Sequence, residues 1–245
     1  MCYNIAYIER LQSRIAERYK EILPNETFEL NLPEDFPTYH FVSGFSHPLL
    51  PIVRHDGIFL YEWGLIPVWI KNVEMANDIR TKTLNAMAET VFEKPSFKKS
   101  IASQRCLLAV SGFYEWRTLN KVKYPYFIKT KRNEIFSLGC IYETWVDKNT
   151  GEIRNTFSIL TTPANELMQK IHNLKKRMPL ILRMQDEKKW IDPRSTKDEI
   201  NLLMKPYSDE DMVAYPVSKS VNSARKNRNV PESMVQVEYN ELKII

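Results

Sequence analysis

Cys106-Leu-Leu-Ala-Val110, followed across Ser111 by Gly112-Phe-Tyr-Glu-Trp116, is the stretch on which the fold turns. Its first half is a short, wholly apolar run that reads as a β-strand. Downstream, Tyr124-Pro-Tyr-Phe-Ile128, Ile135-Phe-Ser-Leu-Gly-Cys-Ile141 and Phe157-Ser-Ile-Leu-Thr161 are runs of the same β-rich kind. Lys131-Arg-Asn-Glu134 and Asp147-Lys-Asn-Thr-Gly151 lie between them with turn composition and hairpin length, so successive strands are expected to be antiparallel neighbours. Upstream, Ile58-Phe-Leu-Tyr-Glu-Trp63 reads as a further strand. Before it, Pro24, Pro33, Pro37, Pro48 and Pro51 break the chain into short extended pieces in which no helix is expected.

Helices are expected around this sheet. Ile8, Leu11, Ile15 and Tyr19 have helical spacing and predict an amphipathic helix over 8–20. Asn85 to Phe92 is rich in helix formers. Thr162-Pro163 reads as a cap and first turn opening a helix through about Ile171, and Ser195 caps a helix through Met204. Leu180-Ile-Leu182 and the alternating Met234-Val-Gln-Val-Glu-Tyr239 read as later strands, the second closing the sheet. With no internal repeat and no linker, the expected class is α+β with a mostly antiparallel sheet.

Composition excludes other classes. A chain of 245 residues with 43% apolar side chains, 12 Tyr, 11 Phe and 5 Trp buries a real core, and 6 Gly against 14 Pro is no low-complexity linker. A net charge of +5 permits an anionic partner without requiring one. The odd set Cys2, Cys106 and Cys140, with no Cys-x-x-Cys, argues against a disulfide framework or a Cys-rich zinc site. His40, His47 and His55 lack ligand spacing, so no metal or cofactor is expected. No apolar segment approaches the roughly 20 residues needed to span a bilayer, and a cytoplasmic location is expected.

Four residues draw attention by their chemistry. Cys2, once Met1 is removed, would carry an amine and a thiol on adjacent carbons, a 1,2-aminothiol able to form an imine with an aldehyde and close it to a thiazolidine. Glu115 stands among aromatic residues, where burial would raise its pKa and suit it to general acid/base work; strand alternation would equally point it to solvent. His172 ends a helix at an irregular basic loop, with a reference pKa suited to proton transfer. Asn85 fits either a helix N-cap or a substrate-orienting amide. Lysines and arginines gather at 94–105, 170–177 and 219–228, and with Trp63, Trp69, Tyr114 and Trp116 for stacking they suit single-stranded nucleic acid. Solvated charge and core aromatics would read the same way.

Taken in order, Met-Cys2, Trp63-Gly-Leu-Ile-Pro-x-Trp69, Asn85-Ala-Met-Ala-Glu-Thr90, Arg105-Cys through Gly112-Phe-Tyr-Glu-Trp116, Ile171-His172 leading to Arg177-Met-Pro179, and Pro216-Val-Ser218 with Val221-Asn222 resemble the SOS response-associated peptidase (SRAP) family over nearly the whole chain. The resemblance implies one SRAP-like domain over 1–245, a barrel-like twisted sheet with peripheral helices, and a protein that senses abasic sites in single-stranded DNA. It further implies self-removal of Met1, a covalent thiazolidine link through Cys2 and abasic-site lyase activity. Cys2 would be the nucleophile, Asn85 would hold the reacting groups, Glu115 would move protons and His172 would assist the imine chemistry. Trp63, Pro67, Trp69, Arg80, Lys82, Arg177, Pro179 and Ser218 would follow the DNA. Family members commonly have Gly-Arg after Met-Cys and Arg in the Asn-Ala-Arg element; this chain has Tyr3-Asn4 and Met87, and Phe41-Val-Ser-Gly44 where Asn-Val-Ala-Pro is usual. Two other functions compete: an N-terminal-nucleophile amidohydrolase, and a non-catalytic single-strand-binding module with an inert Cys2. A monomer is expected.

Overall fold

The computed structural model describes residues 2–7, 12–23, 29–31 and 37–242. Met1, Ile8 to Leu11, Pro24 and Pro33 lie outside the described residues, and with them the expected removal of Met1 and the first turn of the helix expected over 8–20. Among the described residues no helix is long and apolar enough to cross a membrane.

Five strands close into a ring. β4 (Leu49–Arg54) and β5 (Gly57–Trp63) form a hairpin, β4 pairs with β7 (Arg105–Val110), β7 with β10 (Phe136–Val146) and β10 with β11 (Ile153–Pro163), all antiparallel. A parallel pairing of β11 with β5 completes the circuit and removes the open edge that a flat sheet would present. β7 is buried at all six positions, as its apolar composition requires of a strand covered on both faces. Cys106, Leu108 and Val110 join one core with Leu50, Trp63, Leu138 and Phe157. Leu107 and Ala109 face a second core with Ile15 and Tyr19 of α1 (Gln12–Tyr19), Ile101 of α3 (Lys98–Ser103), Trp190 of α5 (Met184–Ile191) and Ile200 of α6 (Lys197–Leu203). Ala76 of α2 (Val73–Lys82) joins Ile66, Ile70 and Trp145 in a smaller cluster. Among the described residues four short strands hang on the barrel: β2 (Glu29–Asn31) on β5, β6 (Asn85–Met87) and β12 (Arg177–Pro179) on β11, and β13 (Ile181–Leu182) on β10.

A second, antiparallel sheet runs in the order β14 (Met212–Pro216), β9 (Val122–Thr130), β8 (Gly112–Leu119), β1 (Asn4–Tyr7) and β3 (Tyr39–Ser43). The chain crosses from barrel to second sheet at Ser111-Gly112, where the Ser111 amide donates to the Ala6 carbonyl at 2.9 Å. Gly112 is required there: a Cβ would stand 2.2 Å from the Phe127 ring and 2.9 Å from the Ile128 carbonyl oxygen.

Several expectations are corrected. Lys131–Glu134 joins β9 to β10, which lie in different sheets, so it is a crossover and not a hairpin; Asp147–Gly151 does turn the β10–β11 hairpin. Asn85–Met87 is a strand, β6, drawn into parallel pairing with Ile159–Thr161 of β11 instead of a helix. Thr162-Pro163 ends β11; the helix begins later, as α4 (Glu166–Ile171), with the Asn165 side chain accepting from the Met168 amide. The cap of α6 is Thr196, in a reciprocal box with Glu199, not Ser195. Residues 234–239 form no closing strand: Pro231–Met234 is a 3-10 turn, and Gln236 makes a single bridge to Val217.

Candidate functional site

β1 and β8 bring the two chemically distinctive residues together. Ile5 pairs with Phe113 and Ala6 with Gly112, a register that carries Glu115 toward the chain's beginning. Alternation along β8 puts Tyr114 in a cluster with Phe41, Phe127 and Val217, and Glu115 on the opposite face, shared with the core residue Phe113. Glu115 is therefore inward, 4% exposed, and burial raises its carboxyl from 4.5 to about 7. Cys2 is fully enclosed, with its thiol pushed up by burial and next by the nearby Glu115 carboxylate. Such a thiol is neutral and needs a base before it can act as a nucleophile.

His172 is delivered by the end of α4, its amide donating to the Met168 carbonyl at 2.7 Å. Its Nδ1 lies 2.8 Å from the Arg177 carbonyl oxygen, which fixes the proton on Nδ1 and leaves Nε2 as the acceptor facing Glu115 Oε2 at 3.8 Å. Burial, reinforced by Lys175 and Arg177, lowers this imidazole to about 4. Near neutral pH the site thus holds a neutral imidazole and a carboxyl poised between its two forms, a pairing suited to moving one proton back and forth.

The loop that carries His172 is held at both ends by contacts no motif revealed. Asn173 acts as a one-residue strand extension, accepting from the Thr118 amide at 3.0 Å and donating to the Thr118 carbonyl at 2.8 Å. Arg177 is clamped bidentately by Glu89 and donates to the Thr161 carbonyl at 2.6 Å. Lys176 adopts a left-handed conformation, φ 49°, as the loop closes.

Glu115 and His172 lie in a cleft of 420 Å³ that Tyr3, Asn4, Trp116, Lys123, Lys175 and Arg228 also line. Lys123, Lys175 and Arg228 make no ion pair among the described residues, so the cleft has positive charge at its rim and a proton-transfer pair within. Lys175 and Arg228 belong to the basic runs read from sequence; Lys123 was missed, because one lysine in a strand carries no signal. Asn85 is not among the cleft-lining residues. It is buried on β6, and neither polar atom of its amide has a partner among the described residues, a state that costs roughly 1–3 kcal/mol.

The remaining residues assigned to a DNA path are mostly engaged elsewhere. Trp63 is enclosed, its Nε1 donating to the Leu84 carbonyl at 2.8 Å and its ring stacked on Phe157. Pro67 and Pro179 are buried. Arg80 pairs with Glu62, Lys82 with Asp78 at 2.6 Å and Arg177 with Glu89, and Ser218 caps the turn Lys219–Asn222. Arg105, counted in a basic run, is buried and donates to the carbonyls of Trp190, Ile101, Ala102 and Asp192. Trp69 alone of this set presents an exposed ring, 49% accessible.

Comparison with known proteins gives three findings. A family model described as SOS response associated peptidase (SRAP) matches residues 1–224. Two proteins of Bacillus subtilis (strain 168) are similar: abasic site processing protein YoqW, 39% identical over 216 residues (85% of this chain, 92% of that protein), and abasic site processing protein YoaM, 42% identical over 196 residues (78% and 82%). A crystal structure of a protein from Bacteroides thetaiotaomicron superposes with a TM-score of 0.84 at 36% identity, covering 97% of this chain and all of that one.

Proposed function

The chain belongs to the SOS response associated peptidase family, and from that premise we propose that it processes abasic sites in single-stranded DNA, linking to the exposed aldehyde through Cys2 in one SRAP-like domain. The observation that carries the reading is the meeting of Glu115 and His172 in one cationic cleft, with Cys2 enclosed behind its lining and within electrostatic reach of Glu115.

The first requirement is removal of Met1, because the Cys2 nitrogen is otherwise a peptide nitrogen with no nucleophilic lone pair. The freed amine adds to the abasic aldehyde, giving a carbinolamine. Glu115, whose carboxyl burial raises to about 7, donates in its acid form to the departing hydroxyl, and loss of water leaves a protonated imine. The Glu115 carboxylate then takes the thiol proton as sulfur attacks the carbon of the protonated imine; the C–S bond closes the thiazolidine, its nitrogen becomes neutral and Glu115 regains its acid form. Net, one water is lost. His172, neutral and accepting through Nε2, relays the proton and supports reversal. Asn85, outside the cleft lining but without amide partners among the described residues, is assigned to the sugar hydroxyl by the family resemblance. Opening of the same imine by β-elimination would give lyase turnover. Lys123, Lys175 and Arg228 meet the phosphates in place of the arginines absent at Asn4 and Met87, and Trp69 offers a ring to a base.

The test is intact mass after incubation with an oligonucleotide bearing one abasic site. The expected product is protein lacking Met1 plus DNA less one water. Cys2→Ala keeps the amine but not the thiol, so its stable adduct vanishes while borohydride trapping of the imine persists. An undiminished, unreduced adduct with Cys2→Ala, or Met1 still attached in the crosslinked species, refutes the mechanism.

A further inference from the structure

Directly beside the reaction cleft the fold presents a pair of aromatic rings. Tyr3, adjacent in sequence to Cys2 and lining the cleft, packs against Phe45 with ring centroids 5.1 Å apart at 40°. Phe45 is 58% exposed, whereas every other phenylalanine among the described residues is buried or half-buried. Its position is built and not incidental. Phe45 sits in the short 3-10 turn Gly44–Ser46, whose first amide donates to the Tyr3 carbonyl at 2.8 Å, so the turn is tied to the very residue whose ring it meets. Ser43 caps that turn at the Phe45 amide, the Ser46 hydroxyl donates back to the Ser43 carbonyl at 2.7 Å, and His47 closes it in a left-handed conformation with Nδ1 2.7 Å from the Trp63 carbonyl oxygen. Gly44 lets the turn lie on the buried Trp63 ring, where a Cβ would stand 3.0 Å from its carbons. The enclosed Trp63 thereby serves as the floor that holds Phe45 outward.

We propose that Tyr3 and Phe45 form a stacking platform for the nucleobase flanking the abasic position in single-stranded DNA. The inference rests on the functional reading above and deepens it. A base beside a missing base has lost one stacking neighbour, and a flat apolar face next to the reacting residue replaces it. The surrounding charge fits that occupant and not an apolar peptide: Lys123, Lys175 and Arg228 stand around the adjoining cleft where the backbone phosphates of the same strand would run. Stacking also carries affinity where this chain has Tyr3-Asn4 and Met87, none of which can pair with a phosphate ionically. Purines, with their larger faces, bind the platform better than pyrimidines.

The experiment uses single-stranded DNA carrying tetrahydrofuran, an abasic analogue that cannot form an imine, with 2-aminopurine as its neighbour. Wild-type protein is expected to quench the 2-aminopurine on binding. Phe45→Ala, a surface change, is expected to abolish that quenching and weaken affinity by about five- to a hundredfold, by a factor independent of salt because no ion pair is lost; Phe45→Tyr restores both. Quenching unchanged in Phe45→Ala, no quenching by wild type, or an affinity loss that shrinks with added salt overturns the platform. The same variants are tested for crosslinking to a true abasic site: crosslinking without Phe45-dependent quenching sinks the platform and leaves the functional reading standing, whereas Phe45-dependent quenching without any crosslink sinks the covalent reading and leaves the platform standing.

Discussion

Replacing Glu115 by Gln should stabilise the protein in a pH-dependent way, and the structure sets the size and sign. Burial raises the carboxyl from 4.5 to about 7. Below pH 4.5 it is protonated in both folded and unfolded chains and contributes no difference. Between 4.5 and about 7 the unfolded chain has released its proton while the folded one retains it, so stability falls as pH rises, and the full cost is present above pH 7. The gap corresponds to roughly 3 kcal/mol at about 1.4 kcal/mol per pKa unit. Glu115→Gln keeps the shape and cannot ionise, so its stability relative to wild type should climb by about that amount from pH 4.5 to 7 and then stay level. His172→Gln supplies the opposite sign. Its imidazole is lowered from 6.5 to about 4, so wild type loses stability as pH falls through that window, and the variant gains on it there, by somewhat less because the ring borders the cleft. The assay is urea unfolding followed by tryptophan fluorescence from pH 4.5 to 8, comparing each variant with wild type so that all other titrations cancel. A Glu115→Gln difference that is flat across this range would refute the claim that desolvation sets the state of this carboxyl.

Asn173→Ala removes both hydrogen bonds to Thr118 and frees the loop, so His172 should rehydrate and its pKa move up toward 6.5; the acid limb of the crosslinking rate should then shift up from about pH 4, while a flat pH profile would make the clasp purely structural. Met87 is 42% exposed, and Met87→Arg should steepen the dependence of log affinity for single strands on log salt by about 0.7; an unchanged slope places position 87 off the DNA path. Gly112→Ala should destabilise by roughly 1–3 kcal/mol in the same urea assay, because its methyl meets the Phe127 ring and a backbone oxygen that cannot yield.

The strands over Cys106–Val110, 124–128, 135–141 and 157–161, and the identity of Cys2, Glu115 and His172 as chemically distinctive residues, were legible in the sequence because each depends on residue type and near neighbours: unbroken apolar runs in one case, an aminothiol, a carboxyl among rings and a helix-ending imidazole in the other. What those residues meet was not. Asn85–Met87 has the composition of a helix and becomes a strand because β11, more than 70 residues later, offers it a parallel edge. Arg80, Lys82 and Arg177 look like free cations in a linear chain, yet Glu62, Asp78 and Glu89 have taken them, whereas Lys123, which no pattern marks, stands at the cleft rim. Strand alternation left Glu115 free to face either side; the turn at Ser111-Gly112, where the chain leaves one sheet for the other, sends it inward. Local sequence determines which groups are apolar, ionisable or conformationally permissive. Burial and pairing across long separations decide which charges are spent on structure, which carboxyl loses its water, and which rings remain for a ligand, and those are properties of the packed chain alone.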